Sequence, residues 1–217
     1  MQLPPLSLLE TRVLGVLVEK EKTVPDTYPL SINALLSGCN QKNNRDPVLA
    51  ATEGDVQRAL DELRRRSMVI ESSGARVTRF SHNVGRVLKV PDQAVALLAV
   101  LMLRGPQTPG ELRGNAERLH PFADVSSVEA FLAELAERAE ERGGPLVVRL
   151  ARAAGEREAR WAHLLSGPVV VSMEPAANDA GSARAGTGRL EAEIARLAAE
   201  VEALRAEVAE LRARIPG

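Results

Sequence analysis

Aromatic residues are nearly absent from this chain: Tyr28, Phe80, Phe122, Phe131 and Trp161 are the five among 217 residues. A base-stacking platform for single-stranded nucleic acid is therefore not expected. One cysteine, Cys39, cannot close an internal disulfide, which fits a reducing, cytoplasmic setting. His82, His120 and His163 stand far apart, so no zinc-type spacing exists and no metal is expected. No Walker-type phosphate loop occurs, and Gly186-Thr-Gly188 falls in a stretch rich in Gly and Ala, so no nucleotide cofactor is expected either. The longest apolar run, Ala94 to Leu103, is about half of what a membrane span needs, and no charged leader followed by an apolar stretch opens the chain. The carboxylates mostly lie on solvent faces of helices rather than in pairs suited to acid–base work. The expectation is a protein without catalytic residues, cofactor or membrane anchor.

What is present is an ordinary globular apolar content, 45%, and a near-neutral charge with a gradient along the chain. Residues 1–90 carry 13 basic against 10 acidic side chains, residues 91–165 carry 9 against 11, and residues 166–217 carry 6 against 8. Any nucleic-acid contact is thus expected in the first ninety residues.

The first segment, 1–90, reads as three helices and a hairpin. Ser7-Leu-Leu-Glu10 has capping-box spacing, and Leu9, Val13, Val16 and Leu17 follow on one helical face. Prolines at 25 and 29 break that helix. Ser31 caps a second helix with Ile32, Leu35, Leu36 and Cys39 inward, and Thr52 to Asp55 opens a third with Val56, Ala59, Leu60 and Leu63 inward. Met68-Val-Ile70 and Arg76-Val-Thr-Arg-Phe80, split by Ser72 to Ala75, read as a β-hairpin. This is the order of a winged helix, a helix-turn-helix with a β wing.

The second segment, 91–167, repeats the plan. An apolar helix over 94–104 stops at Gly105-Pro106, Thr108-Pro-Gly-Glu111 caps a short helix, and Ser126-Ser-Val-Glu129 is expected to cap a third. Leu146–Leu150 and Ala159–Leu165 form a second hairpin. Val128, Phe131, Leu132 and Leu135 repeat the spacing of Val56, Ala59, Leu60 and Leu63 at an offset of 72 residues, which indicates duplication of one unit. The expected fold class is mainly α with small β-hairpins (α+β): two tandem winged-helix domains, a flexible linker over 168–188 and a coiled-coil helix over 189–217. In that last helix Leu190, Leu197, Leu204 and Leu211 sit at d, with Ile194, Val201, Val208 and Ile215 at a, the pattern of a parallel two-stranded coiled coil. A homodimer through 190–215 is expected. The alternative is an amphipathic helix folding back on its own chain.

Residues 41–90 hold ten basic and six acidic groups, so double-stranded DNA is the candidate partner of the first domain. Lys42, Asn43, Asn44 and Arg45 precede the third helix, Arg58 lies on it, and Arg76 and Arg79 lie on the hairpin. Arginine and amide side chains reach base edges bidentately, and a helix-turn-helix places its last helix in the major groove. Arg64-Arg-Arg66 ends that helix, where the helix dipole explains them equally well. The corresponding helix of the second domain exposes Glu134 and Glu137, an acidic face suited to a protein partner and not to phosphate.

Thr23-Val-Pro-Asp-Thr-Tyr-Pro-Leu-Ser31, Asn33-Ala-Leu35 and Cys39-Asn-Gln-Lys-Asn-Asn-Arg-Asp-Pro47 resemble the YceH family of uncharacterised bacterial proteins. Leu103-Arg-Gly-Pro-Gln-Thr-Pro-Gly-Glu-Leu-Arg113, His120-Pro-Phe-Ala-Asp124 and Arg157-Glu-Ala-Arg-Trp-Ala-His163 extend the resemblance over roughly 6–167. It implies a tandem winged-helix fold and no activity or site residue. Two functional expectations result: a dimeric, regulator-like DNA-binding protein, or an adaptor whose winged helices dock proteins without binding DNA.

Overall fold

The computed structural model describes residues 4–73, 77–152 and 155–169. The heptad positions Leu190, Ile194, Leu197, Val201, Leu204, Val208, Leu211 and Ile215 and the hairpin residue Arg76 lie outside the described residues.

Helix α1 (Leu8–Thr23) starts where the sequence places it. The Ser7 hydroxyl accepts from the Glu10 amide at 3.2 Å while the Glu10 carboxylate takes the Ser7 amide, a closed capping box. A 3-10 turn over Pro25–Thr27 follows, then α2 (Ile32–Cys39), capped by Ser31, and α3 (Glu53–Arg65), capped by Thr52 with Asp55 closing the box. Val56, Ala59, Leu60 and Leu63 of α3 are all buried, as their spacing requires. Strands β1 (Val69–Ser73) and β2 (Thr78–His82) pair antiparallel with Glu71 opposite Phe80. A short helix α4 (Val84–Leu88), which no cap or periodicity announces, leads to α5 (Asp92–Arg104), α6 (Pro109–Ala116) and α7 (Val125–Ala136). Strands β3 (Val147–Arg149) and β4 (Trp161–His163) form the second antiparallel hairpin. The described residues are thus α+β, with seven α-helices and two small hairpins.

One start differs from the expectation. Asp124, not Ser126, caps α7, its carboxylate accepting from the Ser127 amide at 2.7 Å. A carboxylate at a helix N-terminus gains both the hydrogen bond and the dipole, so it displaces the serine two residues on.

The halves repeat in packing as well as in element order. α1 lies on α2 and α3, and α5 lies correspondingly on α6 and α7. β1 packs on α3 and β2 on α1, while β3 packs on α7 and β4 on α5. A single bridge joins Leu30 to Phe80 just before α2, and another joins Gln107 to Trp161 just before α6. The extended residue entering each second helix thereby adds to its own hairpin.

α1 and α5 also pack on each other, and one apolar cluster runs through both halves. The described residues accordingly fall in one compact unit. This contact explains two burials that periodicity alone does not: α1 is buried continuously from Glu10 to Val18, and α5 from Ala94 to Leu103. Each helix carries its own half on one side and the other half on the opposite side. The approach is close at Gly15, where an added Cβ would stand 2.8 Å from Leu103 Cγ. Such a contact is below the normal carbon–carbon separation, so only glycine fits without displacing Leu103.

Candidate nucleic-acid interface

The loop between α2 and α3 delivers α3 to the surface, and internal bonds hold it. Asn40 binds both backbone groups of Ala51 at 2.8 Å, closing the loop end to end. The Arg45 guanidinium donates to Glu19 at 2.7 and 3.2 Å, to Gln41 at 2.9 Å and to the carbonyls of Gly38 and Asn44 at 3.1 and 2.9 Å. Arg45 is buried, and every donor it offers is turned inward. It is withdrawn from the phosphate-contact set: the structure makes it the peg between this loop and α1. Glu19 is held below the usual carboxylate range against its own desolvation, by hydrogen bonding and charge from Arg45, with Lys20 adding to the effect.

A second buried arginine, Arg12, fixes the other side of the loop. It donates to the Cys39 carbonyl at 3.1 Å and the Pro47 carbonyl at 2.6 Å. Burial, followed by repulsion from Arg45, lowers its pKa. The sequence held a signal for it: Arg12 stands three residues after Leu9 and four before Val16, on the apolar face of α1. Cys39, also buried, has its thiol pushed up by burial to about 12, which makes it a packed apolar group at neutral pH.

Lys42, Asn43 and Asn44 are exposed on the outer side of this loop. Asn44 adopts a left-handed backbone, φ 60°, which asparagine tolerates well. Arg58 is exposed on α3 and paired with Asp55 three residues before it. Arg79 is exposed on β2 and donates to the carbonyls of Thr27 and Pro29 at 3.2 and 2.7 Å, keeping its charge uncompensated by any of those partners.

The arginines that close α3 add to this set. Arg64 pairs with Glu71 at 2.8 Å and Asp61 at 3.6 Å, and Arg65 with Glu62 at 2.8 Å. In three of these pairs the arginine side chain is the more exposed partner, and Arg64 and Asp61 are about equal at 45% and 43%. The side-chain exposures are 75% against 35% for Arg58 and Asp55, 68% against 45% for Arg65 and Glu62, and 45% against 27% for Arg64 and Glu71. Arg58, Arg64 and Arg65 are therefore exposed along α3, among carboxylates that include the exposed Glu53. Arg66 is turned away, toward the Pro4 carbonyl at 2.8 Å and Glu10. The second hairpin also exposes Arg149, Arg152 and Arg157, which the sequence reading passed over because the acidic α7 dominated it.

Glu134 and Glu137 are exposed near the end of α7 and line a cleft of about 370 Å³ with Lys89, Phe131 and Arg138. Among the described residues no group of three His, Cys, Asp or Glu side chains is placed to hold a metal ion, and no helix is long and apolar enough to cross a membrane.

His163 on β4 gives a measurable pH effect. Its Nδ1 is withdrawn from solvent without a partner, and burial lowers its pKa to about 4. The folded state keeps it neutral while the unfolded chain takes up a proton below pH 6.5, so stability is lost as pH falls from 6.5 toward 4. Between pH 7 and pH 4 the wild-type chain is expected to lose about 2–3 kcal/mol more than His163→Gln in urea unfolding. Parallel losses in the two chains would show that His163 is solvated in the native state.

Comparison with known proteins agrees with the motif blocks. The family described as "Protein of unknown function, DUF480" matches residues 6–156. A UPF0502 protein of Delftia acidovorans is 61% identical over 83% of this chain and 80% of its own length. A UPF0502 protein of Acidovorax sp. is 59% identical over 83% and 80%, and one of Dechloromonas aromatica is 57% identical over 88% and 91%.

Proposed function

We propose, from the premise that this chain belongs to the DUF480 family, that it is a non-enzymatic tandem winged-helix protein that binds double-stranded DNA through its first unit. The repeat of three helices and a hairpin, with matching bridges at Leu30–Phe80 and Gln107–Trp161, supports winged-helix units in both halves. The observation that carries the DNA reading is the row of exposed arginines on α3. Arg58, Arg64 and Arg65 are exposed and held by surface ion pairs, which are worth about 0–1 kcal/mol, so phosphate can replace the carboxylate at little cost. Arg79 on the hairpin and Lys42 ahead of α3 extend the set.

Fluorescence anisotropy of a labelled random duplex with the full-length chain tests this. Micromolar binding or better that weakens steeply between two salt concentrations is the expected result. Absence of binding at low salt by a folded chain overturns it. That outcome passes the reading to the adaptor alternative, which the Glu134 and Glu137 cleft beside Phe131 favours. Loss of a defined protein partner on reversing both glutamates supports the adaptor, and an unchanged partner set rejects that surface.

We further propose pairing of two chains through the heptads at 190–215, where a and d are occupied without a break. Sedimentation equilibrium is expected to give a dimer that Leu197→Asp with Leu204→Asp converts to monomer. A wild-type monomer at tens of micromolar rejects the pairing.

A further inference from the structure

A cleft of about 530 Å³ opens where α4, the chain entering α1, the turn after α7 and the chain leaving β4 meet. Its walls are apolar, with Leu6, Leu88, Leu146 and Leu165, and Arg138 and Arg142 are its charged lining groups. No carboxylate is among its lining groups, although both arginines also line the adjoining cleft that holds Glu134 and Glu137. Glu140 lies against Gly144, where an added Cβ would meet its oxygens at 3.2 and 3.3 Å. Arg138 is held in place, donating to the Leu88 carbonyl at 2.5 Å and to the Arg142 carbonyl.

We infer that this cleft binds a small amphipathic carboxylate, with its anionic head on Arg138 and Arg142 and its apolar body along the leucines. Both arginines line the same cleft, and burial, followed by the Arg142 charge, lowers the pKa of Arg138. An anion bound in the cleft offsets that like-charge effect. A carboxylate matches the planar fork of Arg142 in two parallel hydrogen bonds, and Arg138, whose Nη2 is taken by the two carbonyls, adds its charge and remaining N–H groups. The volume lies within the range of small-molecule sites, and an apolar wall with few polar groups is their usual composition. The inference is independent of DNA binding, since it uses neither α3 nor the first hairpin.

The glycines of the lining, Gly143, Gly144 and Gly167, supply the readout. In a 15N-labelled full-length chain their amide resonances are followed while octanoate, 1-octanol, acetate or inorganic phosphate is added. Saturable shifts are expected with octanoate, with octanol and acetate each weaker by at least about tenfold, since each lacks one half of the recognition. Arg142 is exposed, and it holds Arg138 through its backbone carbonyl, so Arg142→Gln retains the framework. That variant is expected to bind octanoate at least about tenfold more weakly, with Arg142→Lys intermediate. Any of three results overturns the inference: no saturable shift with octanoate, octanol or phosphate binding as tightly as octanoate, or Arg142→Gln binding like wild type. If Arg142→Gln fails to fold, equal octanoate binding by Arg142→Lys and wild type overturns it.

Discussion

Replacing Arg12 with alanine is expected to lower the unfolding free energy by about 3–5 kcal/mol, read from urea denaturation. The side chain is fully buried at 0% exposure, and its two bonds end on the carbonyls of Cys39 and Pro47. Truncation leaves the buried Cys39 carbonyl without its donor and the Pro47 carbonyl, on an exposed residue, to solvent, and it opens a guanidinium-sized void between α1 and the 40–51 loop. Arg12→Lys tests the geometry separately. A single ammonium cannot span both carbonyls in the fork arrangement, so about 2–3 kcal/mol of the loss is expected to remain. Arg12→Met restores volume without a buried charge and is expected to fall between wild type and alanine. A cost below about 1 kcal/mol for alanine would mean that water enters and replaces the guanidinium. Because the loop it holds ends at the cap of α3, loss of Arg12 is also expected to speed amide exchange at residues 40–51.

Removing Arg58, Arg65 and Arg79 together by alanine substitution is expected to weaken duplex binding about 100-fold at low salt. It should also reduce the slope of log affinity against log salt by about 2–3, one phosphate contact per residue. The fold is expected to persist. Two of these arginines make exposed ion pairs worth less than about 1 kcal/mol each, and Arg79 holds two exposed carbonyls that water can satisfy. Circular dichroism and a urea midpoint close to wild type would confirm that the loss is one of binding. An unchanged salt slope in a folded triple variant would remove α3 from the interface. Arg45→Ala discriminates further. The buried peg is expected to reduce stability when lost, because Glu19 is left without its principal partner. Any fall in DNA affinity would then follow from the loop and not from a missing phosphate contact.

The caps at Ser7, Ser31, Thr52 and Thr108 and the inward faces of α2 and α3 were legible in the sequence, because each is a relation between residues three or four apart. The duplication was legible for the same reason: Val56 to Leu63 and Val128 to Leu135 carry one periodicity twice. α4 was not, since five residues with no side-chain cap leave no periodic signal. Nor was the start of α7, where serine and aspartate compete for one position.

The candidate interface was half legible. Composition concentrated the basic residues in the first segment, and Lys42, Arg58 and Arg79 are exposed there. It could not separate an exposed arginine from a buried one. Local sequence determined by itself the hairpins, the helices other than α4, and their repetition. Tertiary structure alone decided that Arg45 turns inward to Glu19, that Arg12 ties α1 to a loop 27 and 35 residues away, and that α1 packs on α5 to give the two halves one core. The physical reason is range. Capping and periodicity act within one or two turns of chain, whereas the burial of a charge depends on which distant carbonyls and carboxylates the fold brings within hydrogen-bond reach.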